Sequence, residues 1–417
     1  MSELAFYLTE ASWMALLFGA LIFDIPRYSF SLISLSLLAI MRRAKVPPLQ
    51  GNRRSVSVIL PTFNGGRELD HALASFRHQS LQPLEIIVVD DGSTDDTRAV
   101  AQRARSEGIV DLVICHGTRC GRSAAVNAGA RFARGDLLFT ADADTIFAPT
   151  TIERLAAAFD GPDVAAASCN IGVKNEDETV TTGLQGIEYL MSISAGRSFL
   201  DTIDAIACCS GACSMYRRDV FVKTGGLDVG PGEDLEVTLR LRRLGHGVRF
   251  VPEAWAATSV PSSLVNLLRQ RARWDRDALR IRLFMYGQFR LRQPSERLAE
   301  TLQRLDFIVL DLLPTLTFPF YLVYLVLVLG DAAIYLLAAV YVFMSVLSLF
   351  NILLAHVLFS TSTSLFSLLL APIFPFFQGF IMKLARFATY TAEILFSSSS
   401  HDEYVPPRVR RALLGHL

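Results

Sequence analysis

The segment Leu137-Leu-Phe-Thr-Ala-Asp-Ala-Asp144 runs from a short apolar stretch into two carboxylates spaced two apart. Leu137–Phe139 reads as a buried strand. Side chains alternate across a strand, so residues i and i+2 share a face, and Asp142 and Asp144 then lie on one side of the strand end. Like charges that close repel unless a cation sits between them. A hard divalent ion, Mg²⁺ or Mn²⁺, takes oxygen ligands and shares them with a diphosphate. The alternative is a solvated turn, where Asp is common.

The preceding residues place this pair in a sheet. Ser55–Leu60, Leu84–Val89 and Val110–Cys115 read as strands from their β-branched and apolar content. Glu68–Gln79, Arg98–Glu107 and Gly121–Arg134 read as helices, with Leu69, Leu73 and Phe76 at helical spacing. Strand–helix alternation with short links implies βαβ units and an α/β, Rossmann-like fold with a mostly parallel sheet. Such sheets bind ligands at the carboxyl ends of their strands. Three of those ends carry polar residues: Thr62 with Asn64, Asp90 with Asp91, and Asp142 with Asp144.

The 417 residues are 51% hydrophobic and 19% charged, with no net charge and a mean hydropathy of +0.36. Zero net charge gives no indication of a nucleic-acid partner. The apolar residues are segregated, which implies a water-soluble domain between membrane segments in a lipid bilayer. Ala11–Phe23 and Phe30–Met41 are apolar and are interrupted by Asp24-Ile-Pro-Arg27, giving one or two N-terminal crossings. This start lacks a basic leader region and reads as a retained anchor. Arg42, Arg43, Lys45, Arg53 and Arg54 follow, which puts the soluble part in the cytoplasm. Phe307–Leu329 and Ala332–Phe359 are long enough to span. Leu365–Ile381 holds Pro372 and Pro375 and is expected not to cross, since Lys383, Arg386, Arg408, Arg410 and Arg411 favour a cytoplasmic tail. The expected plan is an anchor over 1–45, the α/β domain over 46–275, interfacial helices over 276–304, membrane helices over 305–385 and a tail over 386–417. Within the interfacial stretch, arginines alternate with apolar residues from Arg276 to Arg292, as on a helix lying on an anionic membrane surface.

Four further sites carry chemistry. Arg122, opening the third helix, either reaches a diphosphate or is a solvated charge. Glu233-Asp234 follows a Pro-Gly turn and opens a helix, where acids either cap the helix or accept a proton from an attacking hydroxyl. Cys208, Cys209 and Cys213 match no zinc or disulfide spacing and read as packed thiols in a reducing compartment. Gln270-Arg-Ala-Arg-Trp274 sets Gln270, Arg273 and Trp274 on one helical face. An indole beside a guanidinium suits a sugar ring and a phosphate, although Trp also anchors at membrane interfaces.

In order and spacing, Pro61-Thr-Phe-Asn64, Val88-Val-Asp-Asp-Gly-Ser-Thr-Asp-Asp-Thr97, Asp142-Ala-Asp144, Ser210-Gly-Ala-Cys-Ser-Met-Tyr-Arg-Arg218, Gly232-Glu-Asp234 and Gln270–Trp274 resemble the inverting family 2 glycosyltransferases with a GT-A fold. The membrane-embedded branch is the closer likeness: chitin-oligosaccharide, hyaluronan, poly-N-acetylglucosamine and cellulose synthases. The resemblance implies that Thr62, Asp90 and Asp91 hold a uridine, and that Asp142 sits at the nucleotide-sugar while Asp144 coordinates Mg²⁺ or Mn²⁺. It implies that Asp234 is the general base with Glu233 beside it, that Gln270, Arg273 and Trp274 hold the acceptor end and the diphosphate, and that Cys209–Cys213 line the acceptor site. Two positions depart from the family pattern: Gly65 stands where an acidic residue is usual, and Arg122 where a lysine is usual. No counterpart of the cellulose-synthase gating loop or of a PilZ-type domain is evident.

The expected activity is processive transfer from UDP-GlcNAc or UDP-Glc to a growing glycan at the bacterial inner membrane, with possible secretion partners. The rivals are transfer of one sugar to a lipid-linked acceptor, and an inactive docking subunit.

Overall fold

The computed structural model describes residues 18–41, 54–161, 163–286, 298–359, 363–407 and 409–410. The start of the N-terminal anchor, the basic cluster Arg42–Arg53, residues 287–297, Arg408 and Arg411 lie outside the described residues. Every side chain of Val56–Thr62 (β1), Glu85–Asp90 (β2) and Leu137–Ala141 (β4) is buried, as required of strands covered by helices on both faces. With Leu112–Cys115 (β3) they form the parallel half of the sheet, in the order β3–β2–β1–β4. Cys213–Arg217 (β7) then adds antiparallel to β4, and Val164–Val173 (β6) antiparallel to β7. Gly247–Thr258 (β8) runs parallel to β6, and Thr145–Phe147 (β5) closes the edge antiparallel to β8. The sheet is therefore mixed and mostly parallel, as expected.

Phe76, Phe139 and Phe147 pack ring on ring, with centroids 4.9–5.9 Å apart. Each such pair contributes about 0.5–1.5 kcal/mol beyond its buried area. This cluster fixes the helix Gly66–Phe76 against β4 and β5, on either side of the Asp142–Asp144 turn. The helix Arg122–Phe132 lies close on β1. A Cβ on its Gly129 would come 2.6 Å from Ile59, so only glycine lets the helix approach there.

Among the described residues two helices, Ala299–Leu329 and Ala332–Phe359, are long and apolar enough to cross a membrane. The third apolar block breaks at its prolines into Leu365–Leu369 and a second piece that starts at Phe374. At the N-terminus, Asp24 adopts φ 60° and separates the preceding turn from the helix Ile25–Met41. Lys383 pairs with Asp24. Arg386 holds Asp311 at 2.7 Å and Asp275 at 3.3 Å, which ties the Trp274 helix to the apolar helices.

The stretch after residue 276 corrects an expectation. Arg276 pairs with Asp402 at 2.7 Å, Arg280 is buried beside Asp277 with a nitrogen donating to the Pro231 carbonyl, and Arg282 stacks on Phe307 at 5.0 Å. Up to residue 286 these guanidiniums face carboxylates, carbonyls and a ring of the protein. They are not arrayed toward an anionic surface.

Candidate active site

β4 ends at Ala141, so strand alternation does not govern Asp142 and Asp144. A turn brings them together: Thr145 donates its amide to the Asp142 carbonyl at 3.2 Å. The Asp144 carboxylate accepts from the hydroxyls of Thr145 at 3.1 Å and Thr258 at 3.2 Å. Partial desolvation by the surrounding protein, and then the charge of Asp142, push the exposed Asp144 carboxyl above the ordinary carboxylate range. Among the described residues Asp144 forms no ion pair.

Asp142 faces Arg122, whose Nε lies 2.7 Å from Asp142 Oδ1. Another Arg122 nitrogen reaches Glu233 Oε1 at 2.9 Å, and a third donates to the Gly211 carbonyl. Burial opposes the Arg122 charge, but Asp142 and Glu233 more than offset it, and its pKa stands above the usual arginine value. Burial lifts the Glu233 carboxyl, against the pull of Arg122. Asp234 Oδ2 accepts the Gly211 amide at 3.2 Å, and Oδ1 accepts the amide of Leu235 at 2.8 Å. Gly211 thus bridges Arg122 and Asp234 through its carbonyl and its amide. The helix Glu233–Arg243 starts from Gly232, which adopts φ 79° and lies against Asp277 and Ile281. Asp142, Asp144, Arg122, Glu233 and Asp234 therefore meet at the carboxyl edge of β4.

The neighbouring strand ends behave differently. Asp91 accepts the amides of Cys120 at 2.9 Å and Gly121 at 2.8 Å, and its Oδ1 lies 2.8 Å from His116 Nδ1. Gly121 has φ 91°, a conformation that favours glycine, and Arg122 follows it directly. Thr62 lies beside Asp91, whose amide donates to the Thr62 carbonyl at 2.9 Å. The buried Thr62 hydroxyl has no partner among the described residues. An unpaired buried polar atom is costly, and one at a strand end suits a ligand contact. Asp90 corrects the expectation: it is fully buried and accepts from Ser93 at 2.9 Å and Arg98 at 3.0 Å. Its carboxylate is spent on closing the loop.

Cys213 is a second correction. It is fully buried in β7, opposite Ala141, and burial pushes its thiol far up. Cys209 is equally buried. Their small apolar volume fills the sheet, with no surface open to solvent.

The Gln270–Trp274 motif sits within the helix Leu264–Leu279, which continues past Trp274. Trp274 is 43% exposed, and Arg273 is exposed as well. The buried Oε1 of Gln270 has no partner among the described residues. Arg271, which the motif reading passed over, pairs with Glu188 at 2.8 Å and stacks 4.4 Å from the Trp274 ring.

Sequence reading also missed His116, Arg119 and Tyr404. Arg119 lies between the rings of Phe63 and Tyr404, at 4.1 and 5.0 Å, and a Cβ on Gly121 would touch the Tyr404 ring. His116 follows a strand end directly, which is a usable signal. Tyr404 comes from the far end of the chain and leaves none.

This mixed sheet with its acidic edge is of the GT-A type. Residues 57–225 match the model for glycosyl transferase family 2. An N-acetylglucosaminyltransferase of Mesorhizobium japonicum is 34% identical over 263 residues, covering 59% of this chain and 62% of that protein. One of Rhizobium leguminosarum bv. viciae is 34% identical over 239 residues, covering 54% of this chain and 56% of that protein. The chain thus spans 56–62% of the length of these two curated relatives. In fold it resembles the mannosyltransferase PcManGT from Pyrobaculum calidifontis, solved with GDP-Man and Mn²⁺. That likeness has a TM-score of 0.59 at 20% identity and covers 82% of this chain and 96% of the other.

Proposed function

We propose that the protein is a processive inverting β-N-acetylglucosaminyltransferase of the bacterial inner membrane. It takes the sugar from UDP-GlcNAc in the cytoplasm and extends a glycan beside the lipid bilayer. The observation that carries this reading is the junction of Arg122 with Asp142, Glu233 and Gly211, next to Asp234, inside a family 2 domain. The curated relatives supply the sugar, and the two long apolar helices support the membrane setting.

The residues fit a hard divalent ion, Mg²⁺ or Mn²⁺. Asp144 is a solvent-accessible carboxylate with hydroxyl neighbours, and Asp142 raises its proton affinity. These are oxygen donors whose mutual repulsion a cation relieves. Asp144 would hold the ion with Asp142 at its edge, and the ion would offset charge on the departing diphosphate. Asp234 is the general base: its carboxylate, fixed by the Gly211 and Leu235 amides, takes the proton of the acceptor hydroxyl as that oxygen attacks the anomeric carbon. Arg122 offsets negative charge at the leaving side. Thr62 and Asp91 bind the uridine. Gln270, Arg273 and Trp274 hold the acceptor, with the indole as the stacking face.

Purified protein in nanodiscs, given Mn²⁺ or Mg²⁺ and a panel of UDP-sugars, tests this. UDP release with UDP-GlcNAc and products of many sugars are expected. A single added sugar would move the reading to a one-step transferase with a lipid-linked acceptor. No metal-dependent UDP release with any sugar would remove the enzyme reading.

A further inference from the structure

Asp91, His116 and Cys120 bring a carboxylate oxygen, an imidazole nitrogen and a thiol sulfur within 4.8 Å of one another. They come from the end of β2, the end of β3 and the loop that follows. His116 Nδ1 lies 2.8 Å from Asp91 Oδ1. The loop is held in place: the His116 amide donates to the Asp90 carbonyl at 2.9 Å, and the Cys120 and Gly121 amides bind Asp91. Gly92 lies so close beneath it that a Cβ would come 2.7 Å from Thr118. Arg119 is clasped between two rings. Cys120 is exposed and His116 half-buried, so the cluster opens to solvent.

We propose that these three residues form a binding site for a borderline-soft divalent cation of the Zn²⁺ class, distinct from the hard-ion position at Asp142 and Asp144. Mixed nitrogen, sulfur and oxygen donors select Zn²⁺ over Mg²⁺ or Mn²⁺. Tetrahedral bonds of about 2.0–2.3 Å set ligand atoms roughly 3.4–3.6 Å apart, so the His116–Asp91 contact opens by about half an ångström. On binding, the Cys120 thiol loses its proton to solvent and His116 ligates through Nδ1, with its ring proton on Nε2. The fourth position is left to water. The site itself stands on geometry alone. Its consequence rests on the function proposed above: a cation on Asp91 takes a carboxylate assigned to the uridine, so Zn²⁺ and UDP oppose each other.

The full chain in nanodiscs, stripped by chelator, is titrated with Cd²⁺, whose thiolate charge-transfer band reports sulfur ligation. One equivalent should raise the band. C120S should abolish it and C115S retain it, with melting temperatures unchanged. Zn²⁺ affinity, measured by chelator competition, should fall at least about tenfold in C120S and H116A. Zn²⁺ should raise the apparent Kd for UDP in the wild type and not in C120S. No band in the wild type, or an undiminished band in C120S, overturns the site and leaves His116 as a hydrogen-bond partner of Asp91. A band without the UDP shift overturns the antagonism. Failure of the wild type to bind UDP without Zn²⁺ counts against the transferase reading, and the Cd²⁺ result is unaffected.

Discussion

The guanidinium Nε of Arg122 lies 2.7 Å from Oδ1 of Asp142. This contact makes Arg122 the cation of the acidic pocket, because its other nitrogens reach Glu233 and Gly211. Lysine carries the same charge on a single nitrogen, whose three donors do not reproduce the span of the planar guanidinium that reaches all three acceptors. Arg122→Lys should lower the rate of UDP release about tenfold or more, and Arg122→Ala about 10²-fold or more. Steady-state kinetics check this, and an unchanged kcat in both variants would contradict it. The alanine variant also leaves the buried Glu233 carboxylate unpaired, at a cost of about 3 kcal/mol, which a melting curve reads separately.

Glu85 gives a pH dependence of stability. Burial raises its carboxyl, but hydrogen bonds from Ser57 and Arg134 outweigh burial and leave it below the usual range. A depressed carboxyl contributes stability above its unfolded value and loses it as pH falls through the folded one. Glu85→Gln should therefore cost about 1–3 kcal/mol at neutral pH. The gap to the wild type should narrow as the pH falls below the ordinary glutamate value of about 4.3 and on through the lower folded one. A gap that widens on acidification would contradict this.

Cys213 separates packing from acceptor binding. Cys213→Ala removes one buried atom between β4 and β6 and should cost about 1 kcal/mol, with the acceptor KM unchanged. A raised acceptor KM at an unchanged melting temperature would restore Cys213 to the site.

Trp274 rests on Arg271, which Glu188 holds from the other side. Trp274→Ala should shorten the product and raise the acceptor KM about tenfold, by loss of about 1–1.5 kcal/mol of stacking, with UDP affinity unchanged. Arg271→Ala should reproduce part of that effect. Full-length product from the tryptophan variant would remove the indole from acceptor binding.

Legibility in the sequence followed physical locality. β1, β2 and β4 were readable because unbroken β-branched and apolar runs mark strands buried on both faces. β8 was not, because Pro252 and Glu253 interrupt it, and its pairing with β6 skips from Val251 to Trp255. The acidic groups were visible as motifs, but their geometry was not. Asp142 and Asp144 are gathered by a turn, and Arg122 acquires its role only when the fold brings Glu233 to it. Asp90 and Cys213 carried the right residue type at the right motif position, and only burial shows that they face inward.

Asp234, held by the amides of Gly211 and Leu235, is the group proposed to take the acceptor's proton. UDP release from UDP-GlcNAc and the Kd for UDP, measured side by side for the wild type and Asp234→Asn, test it directly. Release should fall by about 10²–10⁴-fold in the variant while the Kd stays within about twofold. Wild-type turnover by Asp234→Asn would contradict it.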